Sequence, residues 1–110
     1  MDIGIITNPN ARKNKLHPER AGELARLVGD AGVVVQTKQL ADIKPAIRSF
    51  LAAGCKYIVA DGGDGALHWV MRSALEVLQE PEFRHYNLPP IMPTRGGTID
   101  FVANNVGLVG

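Results

Sequence analysis

The chain has 110 residues, 45% hydrophobic and 21% charged, a balance that suits one folded domain and argues against intrinsic disorder. Twelve Lys and Arg against eleven Asp and Glu leave a net charge of +1, which gives no electrostatic footprint for nucleic acid. No apolar run approaches the roughly 18 to 20 residues of a membrane span. Met1 leads directly into Asp2 and Ile3, without the basic segment of a signal peptide. The single cysteine, Cys55, excludes an internal disulfide and suits a reducing compartment, so a cytoplasmic location is expected.

Ile3 to Thr7 is a β-branched run closed by Asn8-Pro9, which predicts a strand entering a turn. Residues 10–17 are polar, and Arg12, Lys13 and Lys15 make a basic loop that reads most simply as a solvated face. Pro18 opens a helix with Ala21, Leu24, Ala25 and Val28 at helical spacing, and Gly29 and Gly32 bracket its exit. Val33 to Thr37 is the second strand. Asp42 is placed to cap a second helix whose buried face is Ile43, Ala46, Ile47, Phe50 and Leu51. Pro45 is tolerated in its first turn, and Gly54 fits the left-handed position that ends it.

Tyr57 to Ala60 is an uncharged strand, hence central and buried. Ala66 to Gln79 is the most periodic helix, with Leu67, Val70, Met71, Ala74, Leu75 and Leu78 as its apolar stripe. A loop with prolines leads to a short fourth strand at Ile91 and Met92. Thr98 is placed to cap a short helix through Asn105. The alternation of strands and helices implies an α/β fold, a Rossmann-like three-layer sandwich with a mainly parallel sheet. The chain stops just after the last helix, as expected of one α/β domain, the N-terminal part of a longer two-domain protein.

Asp61-Gly62-Gly63-Asp64-Gly65 joins a buried strand to an amphipathic helix. In open α/β sheets, ligands bind beyond the carboxyl ends of the strands. Three glycines let an anion approach the backbone N–H groups, and the helix adds its positive dipole end. Such a site suits phosphate. Asp64 would repel phosphate directly and is better suited to hold Mg²⁺, a Mg²⁺-bound water or a ribose hydroxyl. A plain glycine turn capping a helix has the same spacing.

Thr94-Arg95-Gly96-Gly97-Thr98 is a second turn between strand and helix. Its threonines offer hydroxyls and Arg95 a guanidinium for phosphate, although a solvated Arg95 and an N-capping Thr98 would look alike. His17, His68 and His85 lack metal-ligand spacing, and His68 is placed either in the cleft or on the helix surface. Neither a Walker-type loop nor Gly-x-Gly-x-x-Gly is present.

Asn8-Pro9 after the first strand, Gly62-Gly63-Asp64-Gly65 after the third, and Pro93 with Gly97-Thr98 after the fourth resemble the diacylglycerol kinase catalytic domain family. The Gly-Gly-Asp-Gly turn is shared with NAD kinases and 6-phosphofructokinases, and the third motif favours the lipid kinase branch. The resemblance implies a two-domain enzyme moving the γ-phosphoryl of ATP, with Mg²⁺, to the hydroxyl of a diacylglycerol or sphingoid-like lipid at a membrane surface. A second, β-sandwich domain would supply much of the lipid pocket and the base. Asn8, Gly62, Gly63, Gly65, Gly97 and Thr98 would hold the nucleotide, and Asp64 would act near phosphate and Mg²⁺. Ala66, His68, Trp69, Asp100 and Phe101 depart from the family's usual residues, which bears on substrate identity. An NAD kinase-like enzyme and a non-catalytic nucleotide- or lipid-binding module are the alternatives, and a homo-oligomer is compatible with each.

Overall fold

The computed structural model describes residues 2–7, 22, 25–26, 28–61 and 64–93. Strands β1 (Ile3–Thr7), β2 (Gly32–Gln36), β3 (Tyr57–Asp61) and β4 (Ile91–Pro93) form one sheet in the order β2-β1-β3-β4. Every strand pair is parallel. Helix α1 (Ile43–Ala52) follows β2 and helix α2 (Asp64–Val77) follows β3. The expected α/β arrangement is therefore present.

Strand alternation sorts the core into two layers. Ile6, Ile58 and Ala60 point to the side covered by α1 and α2, where Ile47, Phe50, Val70 and Ala74 are buried with them. Ile3, Ile5 and Val59 point to the other side and enclose Val28. Gly22, Ala25, Arg26 and Val28 have helical geometry, so helical chain meets the second face as well. The five buried residues of α1 are Ile43, Ala46, Ile47, Phe50 and Leu51, the face expected from their spacing. Gly54 follows with φ of 75°, the left-handed position that glycine fills without strain.

Several expectations need correction. Strand β2 begins and ends one residue early: Gly32 is extended and pairs with Ile3, while Thr37 lies beyond the ladder. Asp42 makes no side-chain cap on α1. Its Oδ2 instead accepts the N–H groups of Lys38 and Gln39 at 3.1 and 3.2 Å, holding the 3-10 turn Leu40–Asp42 that precedes the helix. Helix α2 starts two residues earlier than its apolar pattern suggests, and its buried stripe is rotated. Val70, Ser73, Ala74 and Val77 face the sheet and α1, while Met71 and Leu75 are exposed. A rotation of less than one residue step, about 100° on a helix, accounts for the difference.

Helices α1 and α2 are also tied by charge. Arg48 donates through Nε and Nη2 to both carboxylate oxygens of Glu80 at 2.9 and 2.8 Å, and Lys44 reaches Glu76 at 3.3 Å. The hydrogen bonds from Arg48 lower the Glu80 pKa from its ordinary 4.5. A carboxylate depressed in the folded state stabilises the fold above its unfolded pKa and loses that contribution as pH falls through the folded value. Both side chains are one-third or more exposed, so the effect is small. Glu80→Gln is expected to melt slightly below the parent at neutral pH and to show a flatter fall below pH 4.5, where the two proteins converge. Thermal melts of both proteins across that range check it; superimposable pH profiles would mean that the pair carries no linkage.

Candidate functional site

The sheet changes winding direction between β1 and β3: from β1 the chain moves outward to β2, then crosses back to β3 on the other side. In open parallel sheets the crevice beyond the carboxyl ends at such a switch point is where ligands bind. The last register pair there is Thr7 with Asp61. Both are buried, 2% and 3% exposed, and the Thr7 hydroxyl donates to Asp61 Oδ2 at 2.8 Å. The Thr37 N–H donates to the Thr7 carbonyl at 2.9 Å, which brings the end of β2 to the same place.

A cavity of about 340 Å³ opens at this edge, on the face carrying α1 and α2. Its walls include Thr37, Lys38 and Leu40 from the β2–α1 connection, Asp61 from β3, and Gly65 and Trp69 from α2. The volume lies within the range of small-molecule sites. The wall is mixed in chemistry: an ammonium from Lys38, a buried carboxylate from Asp61, and aromatic and aliphatic surface from Trp69, Ile43 and Val70. Trp69 is oriented by an edge-on contact with His68, ring centroids 5.5 Å apart, and by the Arg72 guanidinium 5.7 Å from its ring centre. His68 itself is exposed and not part of the cavity wall.

Gly65 is the second residue of α2 and exposed. A Cβ at this position would meet nothing within 4 Å among the described residues, and its φ is not in the left-handed range. Among the described residues neither packing nor backbone strain therefore demands glycine here. The missing side chain leaves room beside the first N–H groups of α2, which have no intrahelical acceptors. That is the geometry through which a helix start receives an anion.

Asp64 is the first residue of α2. Asn8, Gly62, Gly63, Thr94, Arg95, Gly96, Gly97 and Thr98 lie outside the described residues, as do the basic loop and the helix expected from Thr98. Their flanking residues do show where these segments start. Thr7, Asp61 and Pro93 are the carboxyl ends of three parallel strands, and Ala60 pairs with Pro93. The segments following β1, β3 and β4 thus leave the sheet from one edge.

Sequence reasoning misses Thr7, Thr37, Lys38 and Leu40, names Asp61 only as the opening residue of the glycine turn, and gives Trp69 no role. A signal exists for Asp61: it is the charge that closes the otherwise uncharged run Tyr57 to Ala60. Cys55 is buried, and burial pushes its thiol above its ordinary pKa, which disfavours the thiolate form. Among the described residues, no group of three or more His, Cys, Asp or Glu could hold a metal ion. None of their helices is long and apolar enough to cross a membrane.

A parallel α/β sheet with a crevice at the β1/β3 switch point defines the class of open, Rossmann-like α/β domains. Within that class the family model "Diacylglycerol kinase catalytic domain" matches residues 2–109. The chain belongs to this family, and with it to the kinases. No match was found among curated proteins or among solved structures.

Proposed function

We propose that this domain binds ATP with Mg²⁺ in the crevice beyond β1 and β3, and serves a lipid kinase whose acceptor is a diacylglycerol or sphingoid-like hydroxyl. The observation that carries the reading is the cavity at the switch point with Gly65 on its wall. An open position beside N–H groups that lack intrahelical acceptors fits a polyphosphate, and the aromatic and aliphatic part of the wall fits a flat organic group attached to it.

In this reading Gly62, Gly63 and Gly65 present backbone N–H groups to the phosphates. Asn8 and the turn Thr94, Arg95, Gly96, Gly97 and Thr98 complete the nucleotide site. Asp64 takes the catalytic position nearest the phosphates. Mg²⁺ is commonly held by one or two carboxylates together with substrate phosphates, and in this reading Asp64 is the carboxylate that would hold it. When bound, the metal neutralises charge on the phosphates. The chain's own contribution is to position the nucleotide and exclude water, which is most of what phosphoryl transfer requires of a protein. The base that takes the proton of the acceptor hydroxyl is assigned to a second domain, and the protein to the cytoplasm, meeting its lipid at a membrane surface.

Trp69 is the one tryptophan of the chain and lines the cavity, so its emission reports occupancy. Mg-ATP is expected to change that emission saturably, with a dissociation constant in the micromolar to millimolar range. Phosphate transfer from γ-labelled ATP to diacylglycerol or sphingosine in mixed micelles, catalysed by the protein with its second domain, tests the acceptor. Absence of any response at millimolar Mg-ATP rejects the nucleotide reading. Binding without transfer to either lipid rejects the proposed acceptors.

A further inference from the structure

We infer that Thr7 and Asp61 are positioning residues, which set the phosphate-binding turn relative to the rest of the site through the hydrogen bond between them. The inference rests on the nucleotide reading above. Thr7–Asp61 is the last register pair of β1 and β3, and Thr7–Gln36 the last of β1 and β2. Among the described residues the ladders of β1 end at these pairs. At that point the Thr7 side chain bonds Asp61, and the Thr7 carbonyl accepts the Thr37 N–H. The carboxyl ends of three strands are therefore tied through one residue. The next positions along the chain are Asn8, Lys38 and Gly62, where the connections forming the site begin.

Burial makes the tie directional. Both side chains are almost fully enclosed, so neither can exchange its partner for water without a large desolvation penalty. Strands could be held together here equally well by two apolar side chains, since replacing both partners by apolar groups of similar shape is often nearly neutral for stability. Apolar packing would not specify the torsion at which β3 delivers Gly62. A charged acceptor bonded to a β-branched hydroxyl does, because Thr has few χ1 options and a single donor. The pair therefore contributes aim as well as stability.

The test uses the full 110-residue chain and Mg-ATP, read by Trp69 emission and by calorimetry, with a thermal melt of each variant. Thr7→Ser keeps the hydroxyl and is expected to bind as the parent does. Thr7→Val removes it and is expected to bind about tenfold to a hundredfold more weakly, the scale of small misplacements in a site. Should Thr7→Val fail to fold, Thr7→Val/Asp61→Leu removes donor and acceptor of this bond together, which avoids leaving the Asp61 carboxyl without its Thr7 donor. That double variant is expected to fold and still lose affinity. A folded double variant that binds Mg-ATP as tightly as the parent overturns the inference alone. A parent that binds no Mg-ATP overturns the nucleotide reading and this inference with it.

Discussion

Gly65→Asp is expected to lower Mg-ATP affinity by roughly a hundredfold or more, about 2.8 kcal/mol, without lowering the melting temperature. The two effects separate because of where Gly65 sits. It occupies the first turn of α2, and a side chain there meets open space among the described residues. Helical propensity favours aspartate slightly over glycine, and a carboxylate in the first turn interacts well with the helix dipole. The fold should therefore tolerate or welcome the change. For a phosphate ligand the same carboxylate is a like charge at close range, worth about 4 kcal/mol at 4 Å with an effective dielectric near 20. Gly65→Asn adds nearly the same bulk without charge and is expected to fall between parent and Gly65→Asp. Gly65→Ala, with a single methyl, should show the smallest loss. Titration of the four proteins with Mg-ATP, beside their thermal melts, gives the order. If the folded aspartate variant binds as well as the parent, the phosphates do not lie at this turn.

The elements most legible in the sequence are those whose signals are local. The buried face of α1 follows from five apolar residues at helical spacing, and its stop from Gly54, whose backbone only glycine adopts freely. Strand β1 is legible because its β-branched run ends at a turn signal. Helix α2 is harder to read because its sequence carries more apolar residues than its neighbours cover. Met71 and Leu75 match the helical period as well as Val70 and Ala74 do, and only the position of α1 decides which stripe is buried. Ser73 is buried on the α1 side, where its small side chain suits close helix packing, yet as a polar residue it gives no burial signal. In the site, the glycine turn announces itself through composition. The Thr7–Asp61 bond spans 54 positions and depends on strand order and register, which no local pattern encodes. The β2–α1 connection escapes notice for the same reason: Thr37, Lys38 and Leu40 carry no motif and become part of a wall only when α2 is set beside them.

The largest effects on stability are expected where Gly4, the β1 residue beneath α1, meets Phe50. A Cβ there would lie 2.5 Å from two ring carbons of Phe50, closer than van der Waals contact permits. Phe50 is 1% exposed and enclosed by the α1 and α2 layer, so its ring has nowhere to retreat. Gly4→Val should gain up to about 1 kcal/mol from strand propensity and lose about 3 kcal/mol or more to overpacking. Phe50→Ala alone should cost about 3 to 5 kcal/mol through the cavity it leaves. The two changes occupy one space, so the double variant should be less destabilised than the summed singles, by about 1 to 3 kcal/mol. Denaturant unfolding of the four proteins closes the cycle, and strict additivity would mean that Gly4 is not where α1 makes its close approach. The consequence reaches the site, because α1 begins at Ile43, on the cavity wall with Trp69 and Val70 of α2. A helix pushed off the sheet by the isopropyl group of the Gly4→Val variant carries Ile43 away from α2 and widens the crevice. Mg-ATP should then bind Gly4→Val more weakly than the parent while the variant is still folded, and Phe50→Ala added to it should restore part of the affinity. Equal affinity in all folded members of the cycle would show that the seat of α1 on β1 does not govern the site.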